Sequence, residues 1–300
     1  MAILINQNTH YLIQGITGKE GRRAVKWMKQ LGSIVVAGVT PAKAGQEVDG
    51  VPVYNTVEQA LVNHSDINAT CIYAPPRFVL SATKEAIEAS IPLIHIIAEN
   101  VPTRDTAEIL ELANKKGVRV IGPSSIGVLC PGKSSMGSLG AGDKEGIVEP
   151  NEKGGVVVLA KSGGMSLTMS NMISSEGIAI STIVGLGGDK IACTTYADLL
   201  DDIQNDNEAK ALVIVGEIGG SYEEDLAAAI KDKNFSKPVV VFISGKFAEH
   251  LPQGVAFGHA GAIVSKQFGT RDGKINALKD AGALIADSPE DIVELLKTLE

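Results

Sequence analysis

Short runs of β-branched and aliphatic residues recur along this chain, separated by stretches rich in charge and alanine at helical spacing. Tyr11 to Gln14, Ile34 to Val39, Ala69 to Tyr73, Leu93 to Ile97 and Val118 to Ile121 read as strands, and Thr83 to Ala89 and Asp105 to Lys116 as helices beside them. Ala2 to Asn6 also looks strand-like. A second series runs through Gly155 to Ala160, Ile178 to Val184, Ala211 to Gly216, Pro238 to Ser244 and Gly282 to Ile285, again with helices between. Strict strand–helix alternation predicts parallel, doubly wound sheets, so the chain is expected to be α/β in two halves. Between them Pro123 to Lys153 is rich in Gly, Ser and Pro and lacks a period, which predicts a connection that also carries site residues. The expected division is 1–125 for the first domain, 126–153 for the linker and 154–300 for the second.

Composition narrows the chemistry. The 300 residues are 44% hydrophobic and 21% charged, enough for two cores and incompatible with general disorder. A net charge of −8 argues against nucleic acid or an anionic membrane as partner and leaves a small anion at a local basic site. Cys71, Cys130 and Cys193 are odd in number, widely spaced and without a metal-ligand pattern. They argue against a disulfide framework and a structural zinc, and no metal ligand set is expected. A cytoplasmic or mitochondrial-matrix setting fits, with no secretion signal and no apolar run long enough to span a bilayer.

Directly after the first strand, Gln14-Gly15-Ile16-Thr17-Gly18-Lys19-Glu20-Gly21 leads into a helix containing Ala24, Val25 and Trp27. Glycines at this spacing suit either a phosphate held on backbone N–H groups or a tight strand-to-helix turn. Dinucleotide-binding domains place an acidic residue after the second strand to hold a ribose. Here the stretch is Gly38-Val39-Thr40-Pro41-Ala42-Lys43. A lysine favours an extra phosphate, as on the adenosine of coenzyme A, unless Lys43 is simply a solvated side chain.

In the second half, Lys161-Ser162-Gly163-Gly164 opens a helix and offers either an anion site or an N-cap. Glu217, in Gly216-Glu217-Ile218-Gly219-Gly220, stands at the carboxyl end of an apolar strand, where ligands bind in such sheets, or is a loop acid. Asp189, after Val184-Gly185-Leu186-Gly187-Gly188, reads as a helix cap before a site residue. His259 lies in Gly258-His259-Ala260-Gly261-Ala262, either a turn or a reactive histidine whose small neighbours admit close approach. A phosphoryl-carrying histidine needs a carboxylate on one ring nitrogen and oriented amides for the phosphate; Glu217 and the Ser162 helix could supply both.

The ordered set Gln14 to Gly18, Gly38 to Pro41 with Lys43, Ile121-Gly122-Pro123, Pro131-Gly132, Lys161 to Gly163, Val184 to Asp189, Gly216 to Gly220 and Gly258 to Ala262 resembles the α subunits of succinyl-CoA synthetase and related nucleoside-diphosphate-forming acid–CoA ligases over nearly the whole length. The resemblance implies a Rossmann-like CoA-binding domain followed by a flavodoxin-like doubly wound domain. It implies CoA contacts at Thr17, Gly18, Lys19, Glu20 and Lys43, with Ile97, Ala98 and Glu99 lining the site. It implies that His259 is transiently phosphorylated, that Glu217 orients its ring and that the Ser162, Gly163 and Gly164 turn receives the phosphate. It further implies an ATP-grasp β subunit, in a heterodimer or heterotetramer, holding ATP or GTP with Mg²⁺. No G-x-x-x-x-G-K-[ST] sequence occurs here, consistent with a nucleotide held elsewhere.

Three departures bear on the acid. Succinate-using relatives usually have Asn-Cys-Pro-Gly where this chain has Ser124-Ser125-Ile126-Gly127, a tyrosine where it has Leu167, and a basic run where it has Phe247 to Phe257. Ser124, Ser125 and Leu167 therefore join the expected phosphate and substrate set, and the differences lean toward ATP-citrate lyase and citryl-CoA synthetase. Succinate is the expected acid and citrate or another hydroxy-acid the alternative. A CoA-binding regulator without catalysis and an NAD-dependent dehydrogenase are the competing classes; Glu217 beside His259 weighs against the first, and the missing acidic residue after the second strand against the other.

Overall fold

The computed structural model describes residues 3–140, 154–246, 259 and 269–299. It forms two units, Leu4–Lys144 with Ile191–Thr194, and Met1–Ile3 with Glu145–Lys190 and Thr195–Glu300.

The first unit runs β1 (His10–Gln14), α1 (Lys19–Gln30), β2 (Ile34–Val39), β3 (Glu47–Val48), β4 (Val51–Tyr54), α2 (Val57–Asn63), β5 (Ala69–Ile72), α3 (Pro76–Glu88), β6 (Leu93–Ile96), α4 (Thr103–Lys116), β7 (Arg119–Ile121), β8 (Gly127–Cys130) and β9 (Ser134–Gly137). Its main sheet has the order β3-β4-β2-β1-β5-β6-β7. All neighbours are parallel except β3, which pairs antiparallel with β4. Leaving out that short edge strand, the parallel strands follow the 3-2-1-4-5-6 order of a Rossmann sheet. Strands β5 and β6 are buried at every position, as strands covered by helices on both faces must be. Helix α1 buries Gly21, Ala24, Val25 and Met28, spaced so that one stripe meets the sheet.

Two expectations change in this unit. Residues 3–6 are not a strand, because Leu4 has φ of 67°, on the wrong side of backbone space for extended chain. The front of the expected linker is β8 and β9, an antiparallel pair buried along its whole length. Specific hydroxyl contacts stand in for the missing hydrophobic pattern: Tyr11 Oη lies 2.7 Å from Ser134 Oγ, and Ser33 Oγ donates to the Ser135 carbonyl at 2.7 Å.

The second unit runs β10 (Gly155–Ala160), α5 (Gly163–Ser175), β11 (Ile180–Gly185), a 3₁₀ turn (Ala197–Leu199), α6 (Leu200–Asn205), β12 (Ala209–Gly216), α7 (Tyr222–Asp232), β13 (Val239–Ile243), α8 (Arg271–Asp280), β14 (Leu284–Ala286) and α9 (Pro289–Lys297). These five strands are parallel and lie in the order β11-β10-β12-β13-β14, which is 2-1-3-4-5, the flavodoxin-like arrangement. Helix starts are fixed by side chains: Thr270 Oγ1 accepts the Gly273 N–H, and Ser288 with Asp291 closes a capping box on α9. Among the described residues no helix is long and apolar enough to cross a membrane.

Candidate active site

In a 2-1-3 arrangement the chain leaves strands 1 and 3 in opposite directions, opening a crevice at their carboxyl ends. Here those strands are β10 and β12, and the residues that follow them are Lys161 and Glu217. The two side chains meet, Lys161 Nζ 2.8 Å from Glu217 Oε1, with exposures of only 4% and 15%. The other carboxylate oxygen, Glu217 Oε2, accepts from His259 Nδ1 at 2.6 Å. Lys161 Nζ also stands 4.9 Å from the centroid of the Tyr222 ring, whose face attracts a cation.

Burial pushes the Glu217 carboxyl up, but the hydrogen bond from His259 and the charge of Lys161 outweigh it and hold it below the ordinary carboxylate value. An ionised Glu217 accepts only, so His259 donates to it through Nδ1. The third wall is the turn after β11. A Cβ built on Gly188 would lie 2.5 Å from the imidazole Cδ2 and 2.9 Å from Nε2, so no larger residue leaves the ring where it is. The turn is tied to the crevice by the Gly187 N–H, which donates to the Lys161 carbonyl at 3.1 Å. Asp189, expected as a cap, precedes no helix; the next helical turn begins at Ala197, and turn geometry after Gly188 rather than a helix start occupies that stretch.

Helix α5 begins at the end of β10, so its N-terminus opens at the same edge of the sheet. Ser162 Oγ accepts the Met165 N–H at 3.4 Å, which makes Ser162 the N-cap. The N–H groups of Gly163 and Gly164, in the first turn, have no intrahelical acceptors and carry the positive end of the helix dipole. Capping by Ser162 does not exclude an anion at this turn, since the cap uses one N–H and leaves the others open. Leu167 is half-buried one turn further along α5.

In the first unit the switch point lies between β1 and β5. Gly15 has φ of 81°, and a Cβ there would lie 2.5 Å from the Tyr73 carbonyl oxygen, so the turn after β1 requires glycine. Gly18 stands at the N-cap of α1 without a side-chain cap, with Lys19 and Glu20 exposed in the first turn. The Thr17 N–H donates to Thr40 Oγ1 at 3.4 Å, joining the glycine loop to the end of β2, and Lys43 is exposed just beyond. Ile97 and Ala98 are half-buried and Glu99 exposed after β6. All the expected CoA residues thus lie at the carboxyl end of one sheet.

Ser124 and Ser125 belong to this first unit. The Ser124 N–H donates to the Ala98 carbonyl at 2.9 Å. Ser125 is buried; its Oγ accepts the Gly127 N–H at 3.0 Å and its carbonyl faces His95 Nε2 at 2.9 Å, so that hydroxyl is committed within the loop. Of the expected residues, His259 and Glu217 touch, and Ser162 to Gly164 open at the neighbouring strand end. Lys161 was missed as a site residue: a lysine after a strand reads as solvated, and only its place after the wholly apolar β10 hinted otherwise.

Comparison with known proteins shows what the chain is similar to. Residues 6–100 match the family model described as CoA binding domain, and residues 159–284 the one described as CoA-ligase. The chain is 39% identical to the ADP-forming sulfoacetate-CoA ligase subunit SqwL of an Acholeplasma species, over 100% of this chain and 98% of that protein. It is 40% identical to the succinate–CoA ligase [ADP-forming] subunit alpha 1 of Archaeoglobus fulgidus, over 100% of this chain and 99% of the relative. Among solved structures, the ATP citrate lyase of Methanosaeta concilii in complex with (3S)-citryl-CoA superposes with a TM-score of 0.89 at 28% identity. That match covers 99% of this chain and 50% of the lyase, so the chain spans half of that protein.

Proposed function

The chain belongs to the CoA-ligase family as the α-type subunit of an acid–CoA ligase, and from that premise we propose that His259 carries a phosphoryl group between a nucleoside triphosphate on a β partner and a small carboxylate substrate. The observation that carries this reading is the 2.6 Å contact of His259 Nδ1 with Glu217 Oε2. It leaves Nε2 as nucleophile and gives the proton-bearing nitrogen a fixed acceptor. Nε2 attacks the γ-phosphorus; the N–P bond forms as the bond to the bridging oxygen breaks, and the diphosphate leaves. Glu217 stabilises the positive charge that develops on the imidazole. The α5 N-terminus, with the amides of Gly163 and Gly164, then holds the phosphoryl oxygens. A carboxylate oxygen of the acid takes the phosphoryl group, breaking N–P and restoring His259. The CoA thiolate attacks the resulting acyl carbon and expels phosphate. Three easier transfers replace one difficult condensation.

CoA lies on the first unit at Thr17 to Glu20 and Lys43, with Ile97 to Glu99 beside it. The partner is an ATP-grasp β subunit that holds the nucleotide and Mg²⁺, in a heterodimer or heterotetramer. The cytoplasm is the proposed location, supported by three free cysteines. Succinate is the first choice of acid. Sulfoacetate is the second, favoured by the 39% and 37% identical sulfoacetate-CoA ligase subunits, and it is likewise a small dianion with one carboxylate to activate. Citrate follows from the lyase structure.

The test is reconstitution with the β partner and γ-labelled ATP or GTP. Acid-labile, base-stable label on the wild type and none on His259→Asn is expected; a folded wild-type complex that takes no label refutes the phosphohistidine. Thioester formation with succinate, sulfoacetate, citrate, malate and acetate under identical conditions ranks the acids.

A further inference from the structure

Behind the Lys161–Glu217–His259 contact lies a second charged pair that the proposed chemistry does not use. Lys274 on α8 contacts Glu223 Oε2 on α7, with exposures of 0% and 1%, and its Nζ is 3.3 Å from Glu224 Oε2. A buried ion pair is a weak source of stability, because desolvation of both charges offsets their attraction. What the pair touches explains its presence better. The second oxygen, Glu223 Oε1, accepts the backbone N–H of Glu217 at 3.1 Å. A Cβ built on Gly216 would meet the same carboxylate at 2.9 Å, so Glu223 is pressed against the peptide that carries Glu217.

Helix α8 also closes the chain that returns from the histidine. Gly269, ten residues after His259, accepts the Gly219 N–H through its carbonyl at 2.8 Å. Arg271 Nε donates to the Ile243 carbonyl at 3.2 Å, fastening the start of α8 to the end of β13. The start of α8 therefore holds the Glu217 loop twice, once through Gly269 and once through Lys274 and Glu223.

Resting on the phosphohistidine reading, we propose that Glu223, held by Lys274, is a positioning residue: its carboxylate fixes the Glu217 backbone so that the Glu217 side chain reaches His259 Nδ1. The acceptor oxygen on the Glu217 N–H is the operative feature, and the buried cation serves to aim it.

Two double variants separate this from a purely structural role, each measured in the full-length chain assembled with its β partner. Glu223→Gln with Lys274→Met removes both charges but keeps a carbonyl oxygen for the Glu217 N–H. Glu223→Leu with Lys274→Met removes the charges and the acceptor together, and an apolar pair of similar volume is commonly tolerated in place of a buried ion pair. The Gln/Met pair, which keeps the acceptor but loses the aiming cation, is expected to label His259 from γ-labelled nucleotide at a rate between those of the wild type and the Leu/Met pair. The Leu/Met pair is expected to label about ten-fold more slowly, the worth of one hydrogen bond to a buried N–H, with the KM for nucleotide and CoA unchanged. Should Leu/Met fail to fold, Met at both positions carries the same test, since its flexible side chain fills irregular space. Equal labelling rates for the Gln and apolar variants overturn the positioning role. A wild type that takes no label overturns the phosphohistidine reading itself, which the labelling control on His259→Asn identifies separately.

Discussion

Replacing Lys161 by methionine takes the cation from one oxygen of Glu217 and leaves His259 on the other. At 2.8 Å and an effective dielectric constant of about 20, the lost attraction is about 6 kcal/mol before desolvation is counted. Solvent screens little of it, since the two side chains are 4% and 15% exposed. Stripping one partner from a buried pair costs about 3–5 kcal/mol net. His259 still faces Glu217 and the methionine stem keeps most of the packing, so the lower end, about 3 kcal/mol, applies. In a unit of about 150 residues that corresponds to a fall of roughly 6–12 °C in Tm.

The pH dependence carries a second signature of the same substitution. The depressed Glu217 carboxyl contributes stability above its ordinary value of 4.5, and the contribution is lost as pH falls through the lower folded value. Without Lys161, burial is opposed by His259 alone; the folded value climbs, and both the stability and the acceptor for His259 Nδ1 are lost at higher pH. Melting curves and His259 labelling rates, taken from about pH 3 to about pH 8, read both effects. A Lys161→Met protein that melts with the wild type and follows the same labelling profile would refute the claim that Lys161 keeps Glu217 ionised.

Gly188→Ala forces a methyl group to within 2.5 Å of the imidazole, so the ring must leave Glu217. Phosphohistidine formation is expected to fall about a hundred-fold with Tm little changed, and a normal labelling rate contradicts the packing. Lys43→Ala is expected to weaken CoA about ten-fold while leaving dephospho-CoA almost unaffected, since a lysine on the extra phosphate gains from that group alone; equal losses by calorimetry would remove Lys43 from the phosphate. Burial holds the His95 imidazole down to about 4 from an ordinary 6.5, against the hydrogen bond to Ser125. The unfolded chain therefore takes up a proton that the fold refuses, and stability falls as pH drops from 6.5 to about 4, by roughly 3 kcal/mol at the lower end. His95→Asn should flatten that slope, and parallel melting curves for the two proteins would show that another group is responsible.

The strand–helix alternation was legible because the strands carry short β-branched and aliphatic runs, as in Gly155–Ala160 and Val239–Ile243, between charged, alanine-rich stretches. Strand ends slipped by a residue or two, as where Ile178 to Val184 was expected and Ile180–Gly185 is observed, and the helix expected over Thr83 to Ala89 begins seven residues earlier, at Pro76. Strands β8 and β9 were not legible, since Gly127, Ser134, Ser135 and Gly137 lack a β pattern and depend on partners such as Tyr11 and Ser33 far away in the chain. At the site, His259 and Glu217 stood out because each sits among small residues at a strand end or turn. Gly188 was visible only as part of the glycine-rich stretch before Asp189, and its use, space for an imidazole, was not legible.

Lys161 shows what was missing, and it is strand order rather than chemistry. Read along the chain, Lys161 and Glu217 are two separate charges after two separate apolar strands. Once β10 and β12 are neighbours, with their helices leaving in opposite directions, both charges open into one crevice. Apolar strands that deliver opposite charges to the same partly dry space leave each as the nearest counter-charge of the other. The carboxylate of Glu217 is then committed to Lys161 through one oxygen and free to orient His259 through the other. The same reasoning applied to α7 and α8 accounts for Glu223, which offers one oxygen to Lys274 and the other to the Glu217 N–H. The histidine is thereby aimed by two carboxylates in series, each anchored on a buried lysine.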